Sequence, residues 1–226
     1  MKKVLLLSAI LSCCLFIGII NSCRKDSNKS AGISISFSEE FDSVYALESK
    51  GWVIKDNSEY FTMWVQPGSY NSGKVPAPTP FTAYSYVSSP YEYILASLTP
   101  STSSYYSVSS WLITPVLSVK NGDKISFYTR ADTGNVYKDR LQVLMNSSSS
   151  SDVGNSTTSV GGFTQNLFDI NSGYAAGAYP TTWTKYEHTF SGISGKINTR
   201  IAFRYYVSAI TSARTIGIDL FKFESN

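Results

Sequence analysis

The sequence is poor in the residues that metal centres and disulfide-stapled domains need. His188 is the only histidine, and the three cysteines (Cys13, Cys14 and Cys23) all lie near the amino terminus. A zinc site takes several His or Cys ligands, and a disulfide takes two cysteines, so the chain beyond Cys23 can form neither by itself. The folded part must therefore depend on its hydrophobic core.

The sequence also lacks a strong net charge and a recognisable catalytic motif. Without Lys2 and Lys3, the charged residues number 17 basic against 16 acidic, which gives no long-range attraction to nucleic acid. No G-x-S-x-G motif is present, and the single histidine offers little for a Ser-His-Asp arrangement. We therefore expect no enzyme, although a pair of acids for glycoside cleavage would leave no mark in a sequence.

The first 22 residues read as an export signal. Two lysines precede an apolar run from Val4 to Ile20, which is short for a membrane span. The segment that follows, Ile20 to Cys23, resembles the lipobox of bacterial lipoproteins, in which the signal is cut before the cysteine and the thiol is lipidated. This predicts a lipid anchor at Cys23 in the outer membrane, with the domain exposed at the cell surface.

Strand periodicity dominates the rest of the chain. Residues 24–32 are small and polar and read as a tether that continues from Cys23, and a single domain is expected over 33–226. Apolar residues alternate with polar ones in the segments 33–38, 124–130, 141–145, 199–207 and 215–223, and more weakly in 111–119 and 183–190. The sequence predicts an all-β fold, a jelly-roll β-sandwich of two antiparallel sheets.

Shorter signals predict the connections. A helical turn is expected at Val44 to Ser49, closed by Gly51, and Asn121-Gly122 is typical of a hairpin turn. Residues 66–80, which are rich in proline, and residues 146–162, which are rich in serine and have little to bury, are expected to be loops that display binding residues.

Several blocks together resemble the cleaved-adhesin domains of gingipain-type proteases and the related choice-of-anchor J proteins. The blocks are SEEFD at 38–42, KGW at 50–52, SWLITP at 110–115, IAFRYY at 201–206 and IDL at 218–220. The resemblance implies a jelly roll displayed outside the cell, often with bound calcium, and associated with adhesion to proteins or glycans.

The resemblance places two acids at positions where the family carries them, Asp42 after the first strand and Asp219 in the last. In the segment 215–223 the large apolar residues change parity, so Asp219 is expected to share a face with two phenylalanines and to need a cation. That cation would be calcium, with Asp42 and Glu39 as further ligands, or it would be Arg204 or Arg214 in an ordinary ion pair.

Aromatic residues, 14% of the chain, suggest a recognition surface. Tyrosine combines a flat apolar face with a hydroxyl group, which suits contact with sugars or proteins, although sheets also favour aromatic residues for packing. The candidate ligand-binding residues are Trp64, Tyr70, Tyr84, Tyr86, Tyr91 and Tyr93.

Three functions remain open from the sequence. The first is a cell-surface module that binds an extracellular glycan or protein, with a structural calcium. The second is an accessory subunit of a surface complex with no ligand of its own, and the third is a hydrolase built on the sandwich.

Overall fold

The computed structural model of the protein describes residues 32–60, 62–71, 75–98, 106–208 and 213–226. The strands, in chain order, are β1 (Phe37–Glu39), β2 (Val53–Asp56), β3 (Thr62–Val65), β4 (Tyr70–Asn71), β5 (Val75–Pro76), β6 (Ile94–Leu98), β7 (Val108–Ile113), β8 (Leu117–Val119), β9 (Lys124–Ala131), β10 (Leu141–Asn146), β11 (Gln165–Ile170), β12 (Thr184–Thr189), β13 (Ile197–Val207) and β14 (Thr215–Glu224). The predicted leader and Cys23 lie outside the described residues. Within those residues, no helix has the length and apolar character that a membrane crossing requires.

The strands form two six-stranded antiparallel sheets. Sheet I has the order β12-β9-β14-β6-β3, with β1 also paired to β14, and sheet II has the order β11-β10-β13-β7-β2, with β8 also paired to β13. Strands β4 and β5 form a separate two-stranded ribbon. The all-β sandwich that the periodicity predicts is confirmed.

Aromatic side chains from both sheets meet in the core between them. Phe127 of sheet I packs edge-on against Phe203 of sheet II, with ring centroids 4.9 Å apart, and Phe203 contacts Phe221 in the same way. All three side chains are fully buried. Burying a phenylalanine contributes about 1.5 to 3 kcal/mol to folding, so rings such as these supply the stability that disulfides do not.

The strongly alternating segments are the ones in which the prediction is most accurate. Strands β9, β10, β13 and β14 lie where the sequence places them, to within a few residues. The segment 111–119 is wrong as one strand, because residues 114–116 interrupt it and β7 and β8 pair with different parts of β13. Likewise, only Phe37–Glu39 forms a strand in the first predicted segment, where Ile33 makes an isolated bridge to Leu117.

The Asn121-Gly122 turn exists, but the hairpin prediction is wrong. The strands on either side of it, β8 and β9, belong to different sheets, so the turn carries the chain from sheet II to sheet I. Gly122 has φ 90°, which explains the turn signal. Local turn chemistry therefore predicted the bend correctly and the strand pairing incorrectly.

The helical turn predicted at Val44 to Ser49 is confirmed in a tighter form. Two 3-10 helices, Val44–Ala46 and Glu48–Lys50, follow one another, and Gly51 closes the second with φ 86°. We call residues 42–51 the 3-10 segment. It carries Tyr45 outward, and it buries Leu47 in the core.

The serine-rich loop is held firmly against sheet II, which corrects the expectation that it has little to bury. Val153 and Phe163 are buried beside Trp111. The Asn57 side-chain amide donates to the Gly154 carbonyl oxygen at 2.9 Å. Arginines from β13 bond to the carbonyl oxygens of Ser149 and Thr157. The loop is part of the scaffold over much of its length.

Candidate functional site

Asp219 lies on the opposite face of β14 from the one that the sequence predicts. The pairing of β14 with β9 shifts between Asp219 and Lys222, and Leu220 has φ 48°, so an extra residue bulges out of the ladder. The bulge restores Phe221 to the side on which Ile218 packs, in the core between the sheets. The change of parity in the sequence is therefore the mark of a bulge, and Asp219 points away from the phenylalanines.

The carboxylate of Asp219 is satisfied by protein donors, without a cation. Its Oδ2 accepts the backbone N–H groups of Tyr84 at 2.7 Å and Ser85 at 3.0 Å, and the Ser85 hydroxyl donates to Oδ1 at 3.0 Å. The N–H of Leu220 donates to Oδ1 at 2.6 Å. Burial raises the pKa of Asp219, and the hydrogen bonds from Ser85 and Tyr84 oppose that rise. The inference that Asp219 needs a cation was wrong.

The other proposed calcium ligands do not complete a metal site. Glu39 is buried, bonded to the Lys50 ammonium at 3.0 Å, and accepts the N–H of Phe41 at 3.2 Å. Asp42 is exposed. Calcium takes six to eight oxygen ligands, whereas no group of three or more Asp, Glu, His or Cys side chains in the described part of the chain is placed to hold a metal. Within those residues, Glu39, Asp42 and Asp219 are therefore not gathered into one carboxylate site.

The predicted aromatic residues separate into buried and exposed groups. Trp64 is 1% exposed, and Tyr93 is fully buried with its ring stacked on Phe81 and its hydroxyl donating to the Phe81 carbonyl oxygen at 3.1 Å. Trp64 and Tyr93 are thus buried, so they do not form part of an exposed recognition surface. Tyr70 lies in β4, and the prediction for its side chain falls outside what the structure describes.

Three of the predicted tyrosines are exposed on the loop 81–93, which we call the tyrosine loop. The exposed fractions are 37% for Tyr84, 43% for Tyr86 and 54% for Tyr91. Tyr84 stacks on Tyr128 with centroids 3.7 Å apart, and its hydroxyl donates to that of Tyr128 at 2.9 Å. The charge of Glu40 and its hydrogen bond with Tyr86 raise the pKa of Tyr86.

Tyr91 and Asp42 line one open groove, which the structure assembles from three separate segments. Tyr45 from the 3-10 segment, 79% exposed, and Glu92 beside Tyr91 complete its aromatic and acidic lining. The groove has a volume of about 620 Å³. It presents the rings of Tyr45 and Tyr91 and the carboxylates of Asp42 and Glu92. Among the described residues, the structure shows no hydrogen bond or ion pair to either carboxylate.

Gln66, which the sequence did not single out, joins the walls of the groove. Its Oε1 accepts the N–H of Val44 at 2.7 Å, and its Nε2 donates to the Phe41 carbonyl oxygen at 3.1 Å. The same Nε2 donates to the carbonyl oxygens of Tyr91 and Tyr93. One side chain therefore positions the 3-10 segment against the tyrosine loop, and no sequence signal marks it.

Gly68 leaves the space that the Tyr91 ring occupies. It has φ 73°, and a Cβ atom at this position would lie 2.7 Å from a ring carbon of Tyr91. Any other residue would displace the ring or strain the backbone. The sequence predicted residues 66–80 as a loop. In the structure, Gly68 of this loop contacts the Tyr91 ring and so positions it in the groove.

An apolar cavity of about 470 Å³ adjoins the groove, and both are lined by Tyr45, Gln66 and Ser69. Its other lining residues come from the 3-10 segment, from Trp52 directly after it, and from β2 and β3, the edge strands of the two sheets. They are Val44, Leu47, Glu48, Trp52, Val53, Ile54, Met63, Trp64 and Val65.

No family model matches the sequence, and no curated protein matches it. The structure is similar to that of the K1 cleaved adhesin domain of Lys-gingipain from Porphyromonas gingivalis W83. The TM-score is 0.53 at 16% identity, over 84% of this chain and 98% of that chain. The chain has the cleaved-adhesin fold.

The structure is also similar to that of a second cleaved adhesin domain. The K2 domain of Lys-gingipain has a TM-score of 0.51 at 16% identity, over 83% of this chain and 98% of that chain. The fold implied by the sequence blocks is thus confirmed, and at this identity the likeness establishes the cleaved-adhesin fold alone. What the groove binds must be argued from its own side chains.

Proposed function

We propose that the protein is a binding module that recognises an extracellular glycan in the groove between Tyr45 and Tyr91. The observation that carries the proposal is the combination of two exposed tyrosine rings with the carboxylates of Asp42 and Glu92 in one open groove. Sugar rings present apolar C–H faces that pack on aromatic rings, and hydroxyl groups that donate to carboxylates.

The rigidity of the groove supports binding over a purely structural role. Gln66 holds both walls in place through hydrogen bonds to backbone groups of the 3-10 segment and the tyrosine loop. A preformed site loses less conformational entropy on binding, because its side chains and loops are already ordered. The exposed tyrosines cost little further ordering, since each has only two side-chain torsions.

Non-catalytic recognition agrees with the rest of the molecule. His188, the only histidine, packs its ring edge-on against Phe168 and Phe190 on β12, as an ordinary strand residue does. The similar solved domains are described as adhesin domains, which supports a binding role. Lipidation at Cys23 and display on the outer membrane complete the proposal, because a module on a lipid tether would meet extracellular glycans.

A glycan array with the soluble domain tests the proposal. We expect binding that Tyr45→Ala or Tyr91→Ala each reduces at least tenfold, because each change removes a stacking surface. Tyr137→Ala is the matched control, since Tyr137 lies outside the groove lining and packs on Arg214. A blank array, together with a protein that co-purifies stably, would instead support an accessory subunit.

The anchor has a separate test. Growth with a labelled fatty acid should mark the full-length chain, and Cys23→Ala should abolish the label. An unlabelled wild-type chain would contradict the lipidation proposal without touching the glycan proposal.

A further inference from the structure

Tyr84 and Tyr128 form the closest pair of aromatic rings among the described residues. Their ring centroids lie 3.7 Å apart at an interplanar angle of 18°, and their hydroxyl oxygens lie 2.9 Å apart. Rings stacked head to tail would hold the hydroxyls far apart, because each hydroxyl projects beyond the rim of its own ring. The two phenols are therefore stacked head to head, and the ortho carbons beside the hydroxyls face each other across the stack.

Asp219 holds this pair in register. It stands opposite Tyr128 in the ladder between β14 and β9, and its Oδ2 accepts the backbone N–H of Tyr84 at 2.7 Å. The ladder fixes Tyr128 on sheet I, and the buried carboxylate fixes Tyr84 near the start of the tyrosine loop. The contact between the two rings is therefore built into the fold.

We infer that this pair is a site of oxidative cross-linking, at which a bond between ortho carbons of Tyr84 and Tyr128 staples the tyrosine loop to sheet I. The co-reactant is hydrogen peroxide acting through a haem peroxidase, which removes one electron and one proton from each phenol. The unpaired electron of each phenoxyl radical is shared with its ortho carbons, so two stacked radicals couple there. The ortho hydrogen of each ring then moves to its oxygen, which restores both phenols. Overall, one peroxide takes two hydrogen atoms from the pair and leaves as two waters.

The position of the pair suits a staple. Tyr84 is exposed, so its phenol is accessible to an oxidant in solution. Residues 33–226 contain no cysteine, so a tyrosine cross-link supplies a covalent closure that a disulfide cannot. The two tyrosines are 44 positions apart in the sequence, and closing a loop of that length removes chain entropy from the unfolded state.

A second tyrosine pair shows what the short distance adds. Tyr60 and Tyr106 are also nearly parallel, at 17°, but their ring centroids lie 5.6 Å apart, so their carbons have farther to move before they can bond. Holding two reacting groups in contact raises their effective concentration strongly. Coupling should therefore concentrate at Tyr84 and Tyr128.

Mass spectrometry of the oxidised protein tests the inference. The purified full-length chain is treated with a haem peroxidase and hydrogen peroxide, unfolded and cut with trypsin. Fragment 125–130 contains Tyr128 as its one tyrosine, so the cross-link joins it to fragment 75–120, which contains Tyr84. We expect this joined fragment, two hydrogen atoms lighter than its parts together, from the monomer on a reducing gel. The cross-linked chain should also melt about 5 to 10 °C higher.

Single substitutions identify the two rings. Tyr84→Phe and Tyr128→Phe each keep a stacked ring and remove a phenol that forms the radical, so either should lower the yield of joined fragment at least tenfold. Tyr86→Phe is the matched control, because Tyr86 lies on the same loop and in the same fragment and is at least as exposed as Tyr84. This control and Tyr60→Phe should both give the wild-type yield.

The opposite results would overturn the inference. A wild-type yield in Tyr84→Phe would show that Tyr128 couples with another tyrosine, and cross-links found between chains alone would show that the stacked contact does not direct the reaction. A joined fragment with an unchanged melting temperature would overturn the role of the bond as a staple. None of these results depends on sugar binding, so the glycan proposal is tested separately.

Discussion

The backbone N–H of Tyr84, in the tyrosine loop, donates a 2.7 Å hydrogen bond to Asp219 Oδ2, on the last strand. Ser85 adds a backbone and a side-chain hydrogen bond to the same carboxylate. A buried carboxylate with several N–H and O–H donors is strongly held, because hydrogen bonds to charged groups are worth roughly twice those between neutral ones. Asp219 therefore fixes the start of the loop that carries the exposed tyrosines.

Replacing Asp219 should loosen the tyrosine loop. We expect Asp219→Ala to lower the free energy of unfolding by about 2 kcal/mol or more, because it removes charge-assisted hydrogen bonds to Tyr84 and Ser85. Hydrogen exchange at those two amides should speed up. Glu224→Ala, an exposed acid on the same strand, is the control and should change stability by about 0.5 kcal/mol at most. Equal melting of the two variants would contradict this role for Asp219.

Replacing Gln66 should separate the walls of the groove. Gln66→Ala removes the bonds that join Val44 and Phe41 to the tyrosine loop, so glycan affinity should fall at least tenfold even though no lining ring is changed. Stability should fall by about 2 kcal/mol. Gln165→Ala, at an exposed position of β11, serves as the control for both measurements. Full affinity in Gln66→Ala would show that the groove does not need this connection.

Arg204 should be irreplaceable by lysine. Its guanidinium lies between the rings of Tyr206, at 3.9 Å, and Trp111, at 4.8 Å, and bonds to the Thr157 carbonyl oxygen of the serine-rich loop. Burial lowers the pKa of Arg204 to about 10. A lysine cannot stack and bond in this planar arrangement, so Arg204→Lys should destabilise by about 1 to 3 kcal/mol and expose the loop to proteases. The control is Arg214→Lys, which changes an exposed arginine. Proteases should cleave this variant at the wild-type rate.

Removing divalent cations should leave the described domain unchanged. The carboxylates of Asp219 and Glu39 already have protein partners, so a chelator has nothing to withdraw from them. We expect the same melting temperature with calcium and with EDTA. A clear fall in EDTA would show a native-state calcium site, because a ligand that binds only the folded state stabilises it by mass action.

The pKa of His188 in the folded protein should lie below the ordinary value of 6.5. Burial lowers the pKa of His188 from its ordinary value of 6.5, so the folded protein takes up this proton less readily than the unfolded chain. Stability should therefore fall as the pH is lowered through 6.5 towards the folded-state pKa, and it should lose nothing further from this group below that. The single histidine signal in proton spectra gives the midpoint directly. His188→Gln should flatten this part of the stability profile, and a midpoint above 6.5 would contradict the assignment.

The parts of the fold that could be read from the sequence are those that depend on local alternation. Strands β9 and β13 carry most of their large apolar residues at alternate positions, because one face of each packs in the core. The sequence pattern did not predict strands β2 and β3, because each is only four residues long and lies at a sheet edge. The site was predictable in part: Tyr91 and Asp42 belong to it, and nothing in the sequence indicated Gln66, Tyr45 or the cavity.

By itself, the sequence determined that residues 33–226 form a β-sandwich without a cysteine in it, because strand periodicity depends on neighbouring residues and composition needs no fold. Only the tertiary structure decided which groups meet. The bulge at Leu220 turns Asp219 towards Tyr84, which is 135 positions away in the sequence. Gln66 accepts a hydrogen bond from the N–H of Val44, which is 22 positions away. A hydrogen bond forms wherever folding brings donor and acceptor within about 3 Å, and that distance depends on the path of the whole chain.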